Sequence, residues 1–148
     1  MKNIFVAVDG SEASREALSM AADISLCQKA RLTGVFIVDS EWPDYIGNDW
    51  QSSRNSRQTF LDYIHAEQEE QAESARIQFE KAAKKLKSAN FKILAGDPTK
   101  VMTALSENSG VDLLIFSRRV FQISGRPSLK SLVKKISAKA TRPIVIFQ

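Results

Sequence analysis

Four places in this sequence set polar or charged residues at the carboxyl end of a short apolar run: Asp9-Gly10-Ser11, Val38-Asp39-Ser40, Gly96-Asp97 and Ser117-Arg118-Arg119. In an open α/β sheet, strand ends of that kind border the crevice where ligands bind. Asp9 is the foremost of them. An acid closing a buried strand can hold a ribose hydroxyl or a metal ion, and it can equally cap the helix that follows. Conventional catalysis finds few parts. The single histidine, His65, falls in the polar middle of a helical stretch, where a surface position is expected. No group of His, Cys or carboxylate residues has metal-ligand spacing. A serine nucleophile would lack a base, and no nucleophile-elbow pattern occurs. The chain therefore reads as non-enzymatic. Its one cysteine, Cys27, shares helical spacing with Ala17, Ala21 and Ile24 and is expected to be a small buried hydrophobe.

The stretch SRRVFQISGRPSLKS, residues 117–131, follows a strand-like run and leads into a basic amphipathic segment. An α/β protein commonly carries a glycine-rich anion loop at such a place, yet this stretch holds one glycine and three arginines. Between Ser117 and Arg142 there are eight basic residues and no acidic one, within a net charge of +4. A basic quarter suits an anionic partner or a solvated helix face. Nucleic acid is not expected, because the quarter lacks the interleaved aromatics on which single strands stack.

These residues need a scaffold, and the hydropathy pattern supplies one. Runs at 2–9, 32–38, 91–96, 111–116 and 143–147 are short, apolar and rich in β-branched residues, as strands covered on both faces are. Between them, helical spacing appears from Ser11 to about Lys29, from roughly Ser56 to Ser88, and after the cap pair Asp97-Pro98. A last helix is marked by Leu129, Leu132, Val133 and Ile136. Strands alternating with helices imply an α/β fold: a single doubly wound five-stranded parallel sheet with helices on both faces. The 148 residues suffice for one domain, 1–148, and no linker or repeat divides them. Trp42, Tyr45 and Trp50 fall in the connection after the second strand and could stack on a base, cover a partner or pack the loop itself. MKNIFVAVDG reads as a strand rather than a signal peptide, no run is long enough to span a membrane, and one cysteine cannot form an internal disulfide. A cytoplasmic location is expected.

VAVDGSE near the start, GDP opening the third main helix, VDLLIFS late in the chain and TRPIVIF at its end resemble, in order and spacing, the universal stress protein family. The resemblance spans essentially the whole chain and implies the adenine nucleotide alpha hydrolase-like, Rossmann-like fold. It also implies a homodimer formed through the last strand, Pro143 to Phe147, and a stress-response role exercised on protein partners. Nucleotide-binding members of the family carry a glycine, two residues, a second glycine, nine residues, then glycine followed by serine or threonine. Counting back from Arg142-Pro143 puts those positions at Ser117, Val120, Lys130 and Ser131, so all three glycines are replaced and only the final hydroxyl is kept. Arg119 matches a basic residue common before the second glycine. The resemblance further implies that Asp9 and Ile37 would approach a nucleotide. Val120 is β-branched and would resist the positive φ that such loops use. Lys130 would intrude on the cradle.

Two readings follow: a dimeric domain without a bound cofactor, and an ATP- or AMP-binding switch with Mg²⁺. The switch would use Asp9, Ile37, Arg119 and Ser131, with Arg118, Arg126 and Lys130 in place of backbone donors.

Overall fold

The apolar runs become strands and the amphipathic stretches between them become helices. The computed structural model describes residues 1–48, 54–122, 126 and 131–148. In chain order they form β1 (Asn3–Ala7), α1 (Glu12–Gln28), β2 (Arg31–Asp39), α2 (Trp42–Ile46), α3 (Arg54–Ala82), β3 (Ala89–Gly96), α4 (Pro98–Glu107), β4 (Leu113–Ser117), α5 (Leu132–Lys139) and β5 (Ile144–Phe147). The strands form one sheet in the order β3-β2-β1-β4-β5, with every pairing parallel. The fold is thus the Rossmann-like α/β architecture that the alternation predicts.

Coverage explains the composition of the strands. Helices α1 and α3 lie together on one face, and α4 packs against α5 on the other. The inner strands, covered on both sides, bury Ile4, Val6 and Ala7 of β1, Leu32 through Ile37 of β2, and Leu113 through Phe116 of β4. Gly34 is where α3 comes closest. A Cβ there would stand 2.5 Å from Cδ2 of Phe79. The strand order reverses between β1 and β4, so the crevice at their carboxyl ends is the topological switch point.

Three features differ from the sequence reading. Helix α3 ends at Ala82 rather than near Ser88, because a tight turn, with the Leu86 N–H donating to the Ala83 carbonyl at 2.9 Å, reverses the chain. That turn returns Leu86 to the core at nearly the spacing of a continued helix. The aromatic connection contains a short helix, α2, in which Trp42 meets Tyr45 and Phe60 edge-on at 5.6 and 5.7 Å. Trp42 is buried there and Tyr45 is exposed. Cys27 is exposed rather than buried. The inner face of α1 runs through Ser14, Ala17, Leu18, Ala21 and Ser25, and two residues beyond Ser25 the helix has turned outward. Trp50, Leu129 and Lys130 lie outside the described residues. Among the described residues no helix is long and apolar enough to cross a membrane.

Candidate functional site

At the end of β1 the chain must turn at once into α1. Gly10 makes the turn with φ +79°, a conformation favourable to glycine, and any Cβ there would meet the Ser74 side chain of α3 at 2.6 Å. Asp9 is fully committed in this corner and only 2% exposed. Its Oδ1 accepts hydrogen bonds from the Ser11 N–H at 3.0 Å and from the Ser11 hydroxyl, and its Oδ2 accepts from the Phe121 N–H at 3.0 Å. The carboxylate therefore staples the turn after β1 to the chain leaving β4, across the switch point. It holds the turn before α1 rather than capping the helix, whose N-cap is Ser11, and the tie to Phe121 was not visible from local sequence.

Phe121 is the residue that fills the crevice. It has φ +65°, where a side chain ordinarily costs about 1–3 kcal/mol. Two contacts hold it there: the bond to Asp9, and burial of its ring edge-on against Phe36 at a centroid distance of 5.8 Å. The positive φ thus falls one residue after Val120, which is itself fully buried. Ile37, 2% exposed, lines the same space with Phe36, Asp39, Gln68, Pro98 and Phe121, and the cavity left between them measures about 10 Å³. That is room for about one water molecule.

The outer part of the crevice is closed by charge. In the β2–β3 register Asp39 stands opposite Gly96, so Asp97 is its near neighbour at the adjoining strand end. Arg126 bridges the two, its Nε 2.6 Å from Asp39 Oδ2 and its Nη2 2.9 Å from Asp97 Oδ1. The Arg126 and Asp39 side chains are 10% and 4% exposed. Burial by itself would lower the pKa of the guanidinium, but the hydrogen bond and charge of Asp39, then Asp97, outweigh that and hold it above the ordinary value. Gln68 clamps Asp39 from α3, accepting from its N–H at 2.6 Å and donating to its carbonyl at 3.2 Å. Asp97 also caps α4 by accepting from the Thr99 N–H at 3.2 Å.

The four residues nominated from sequence are therefore divided. Asp9 and Ile37 meet in one crevice, with Phe121 between them. Arg119 is exposed at the rim, with its backbone N–H on the Ser117 hydroxyl at 3.3 Å. Ser131 is the half-buried N-cap of α5. Arg126 is not free to replace a lost backbone donor, because both carboxylates already use its fork. Arg118, Arg119, Gln122, Val133 and Lys134 border a separate open hollow of about 420 Å³ on the rim. His65 is on the surface, paired with Glu69 at 2.9 Å. Among the described residues no cluster of three His, Cys, Asp or Glu side chains is placed to hold a metal ion.

Gln68, Phe121 and Arg126 were the residues that sequence reasoning missed or misassigned. Gln68 carried a usable signal. It continues the spacing Ile64, Gln68, Ala72, Ala75, Phe79, and a polar residue on a buried stripe implies a partner for it.

The family model described as the universal stress protein family matches residues 1–148. The chain belongs to the universal stress protein family. Solved universal stress proteins share its fold. UspA from Lactobacillus plantarum superposes with a TM-score of 0.71 at 18% identity, covering 99% of this chain and 97% of that one. A universal stress protein in complex with cAMP matches with a TM-score of 0.59 at 18% identity, covering 99% and 96%. The Archaeoglobus fulgidus universal stress protein in complex with dAMP gives 0.61 at 14% identity, covering 100% and 98%. No curated protein sequence matches this chain significantly. At these identities the structural likeness speaks for the universal stress fold; the ligand chemistry has to be argued from this chain's own side chains.

Proposed function

We propose that this universal stress domain is a non-enzymatic, homodimeric stress-response protein that works through protein contacts and does not hold an adenine nucleotide in its strand-end crevice. The observation that carries the reading is the filled crevice. Related universal stress proteins are described with cAMP and dAMP, whereas here Phe121, with Phe36, Ile37, Asp39, Gln68 and Pro98, leaves about 10 Å³ at the strand ends, and Arg126 bridges Asp39 and Asp97 beside it. An adenine base needs far more room than the single water such a space admits. The replaced glycines support the same reading, since the turn after β4 now carries Val120 and Phe121, whose side chains point into protein rather than leaving backbone N–H groups open.

Dimerisation is proposed through β5. It is an edge strand, and its four apolar residues are only half-buried in the single chain. A second copy paired across a two-fold axis would cover the open backbone groups. The lone exposed Cys27 thiol suits the reducing cytoplasm in which we place the protein.

Isothermal titration with ATP and Mg²⁺, AMP and cAMP, with a denatured sample checked for co-purified nucleotide, tests the nucleotide part. No heat and no released nucleotide are expected; micromolar binding would overturn it. The rim hollow favours one alternative, an ATP or AMP switch in which Arg118, Arg119 and Lys134 hold the phosphates outside the crevice. In that case binding would appear and be lost in Arg119→Ala.

A further inference from the structure

The Arg126 bridge has the form of a bound ligand. Two carboxylates from adjoining strand ends converge on one guanidinium, one on Nε and one on Nη2, at 2.6 and 2.9 Å. The receiving side is fixed before Arg126 is considered. Asp39 is held by both Gln68 bonds to its backbone, and its Oδ1 accepts from the Glu41 N–H at 3.0 Å, which leaves Oδ2 facing the guanidinium. Asp97 is fixed by the Thr99 cap. The Pro98 and Ile37 side chains border the adjoining space. Two fixed acids, each accepting from a different nitrogen of one planar fork, form the environment that selects guanidinium over a point-like ammonium.

We propose that Asp39 and Asp97 form a guanidinium-binding pocket and that Arg126 is its resident, intramolecular ligand. Its occupancy ties the chain between β4 and α5 to the ends of β2 and β3. The charge preference of the crevice is thereby inverted. With Asp9 also at the strand ends, a phosphate entering here would meet three carboxylates, whereas a guanidinium carried by a small molecule or by an arginine side chain would meet two acceptors already aimed at it. In the wild-type chain the tethered Arg126 outcompetes any ligand in solution, because an intramolecular group acts at an effective concentration of about millimolar or more. The proposal rests on the reading that the crevice is not a nucleotide site, and its test is kept separate from nucleotide titration.

Chemical rescue provides that test. Arg126→Ala is expected to melt below wild type, and about 10 mM methylguanidinium to raise its melting temperature by about 2–4 °C, with no comparable rise in wild type. N-acetyl-arginine amide, as the side-chain form of the ligand, should act likewise, while tetramethylammonium at equal ionic strength should not. Adding Asp39→Asn to Arg126→Ala should abolish the rescue. If Arg126→Ala does not fold, Arg126→Gln takes its place. In the wild-type protein an Arg126 Nε–H resonance with slowed solvent exchange should be present and lost in Asp39→Asn, because Nε donates to Asp39 Oδ2. Absence of rescue in a folded variant, equal response of wild type, equal rescue by tetramethylammonium, or an Arg126 Nε–H exchanging as fast as those of exposed arginines would each overturn the proposal. Nucleotide binding by the wild type with rescue intact would instead fail only the reading of the previous subsection.

Discussion

At the scale of single residues, the crevice depends on one side chain in an unfavourable backbone conformation. The Phe121 ring contributes burial against Phe36, while its φ of +65° works against it. Phe121→Ala removes the ring and keeps the strain, so a loss of about 3–5 kcal/mol is expected. Phe121→Gly removes both and should be about 1 kcal/mol less destabilising than the alanine variant. Urea unfolding of the pair measures this, and equal losses would mean that the conformation is not strained. A second residue sets an acid limit at the opposite end of the sheet. Asp112 accepts from the Asn3 and Lys2 N–H groups at 2.8 Å each, and these bonds, Asn3 first, with a smaller effect of Arg142, hold its carboxyl below the ordinary 3.8. The folded state therefore binds that proton more weakly than the unfolded chain does. The contribution is complete above the unfolded value and is lost as pH falls through the lower, folded one. The stability difference between wild type and Asp112→Ala should be flat at neutral pH and shrink only below about pH 4. Unfolding midpoints across that range decide it, and a gap that persists to strong acid would remove the assignment.

At the scale of elements, α3 and β2 have to approach more closely than ordinary side chains allow. The contact is made by Gly34 beneath the Phe79 ring, which is itself packed on Phe91 at 5.7 Å. Gly34→Ala should cost about 1–3 kcal/mol by overpacking, and Phe79→Leu in the same chain should recover part of it. Gln68 sets the height of α3 over the end of β2 through its two bonds to the Asp39 backbone. Gln68→Leu keeps the volume but leaves a buried N–H and carbonyl without partners, at a cost of about 1–3 kcal/mol. The elements themselves were largely legible in the sequence. Runs such as Leu113–Phe116 are apolar because both faces of the sheet are covered, and Asp97-Pro98 announced the start of α4. The end of α3 was not legible, because a turn at Ala83–Leu86 preserves the apolar spacing that marks a helix.

At the scale of the whole molecule, one open edge matters most for the proposed dimer. The Pro143 and Phe147 carbonyls accept from β4 at 3.1 and 2.7 Å, so strand alternation turns the N–H and C=O groups of Ile144 and Ile146 outward. Ile146→Pro removes an outward donor without cutting the β4 ladder. It should convert a dimer into a folded monomer, read by light scattering after gel filtration and by circular dichroism. A wild-type protein that is strictly monomeric at micromolar concentration would defeat the dimer itself.

The division between sequence and tertiary structure follows the range of the forces. Periodicity, caps and strand-end acids are local, so the sequence by itself determined the α/β alternation and the nomination of Asp9, while Ile37 was nominated through the resemblance to the family. Counting back from Arg142-Pro143, the resemblance put Ser117, Val120 and Lys130 at the family's glycine positions, and that raised the question about the crevice. What fills the crevice was decided by contacts between residues far apart in the chain: Asp9 with Phe121, Arg126 with Asp39 and Asp97, and Gln68 with Asp39. An arginine in a basic stretch looks the same in sequence whether it faces water or the carboxylates of Asp39 and Asp97. Only the parallel register that sets Asp39 beside Asp97 makes the second placement favourable, because the pair of acids supplies the compensation that a buried guanidinium requires.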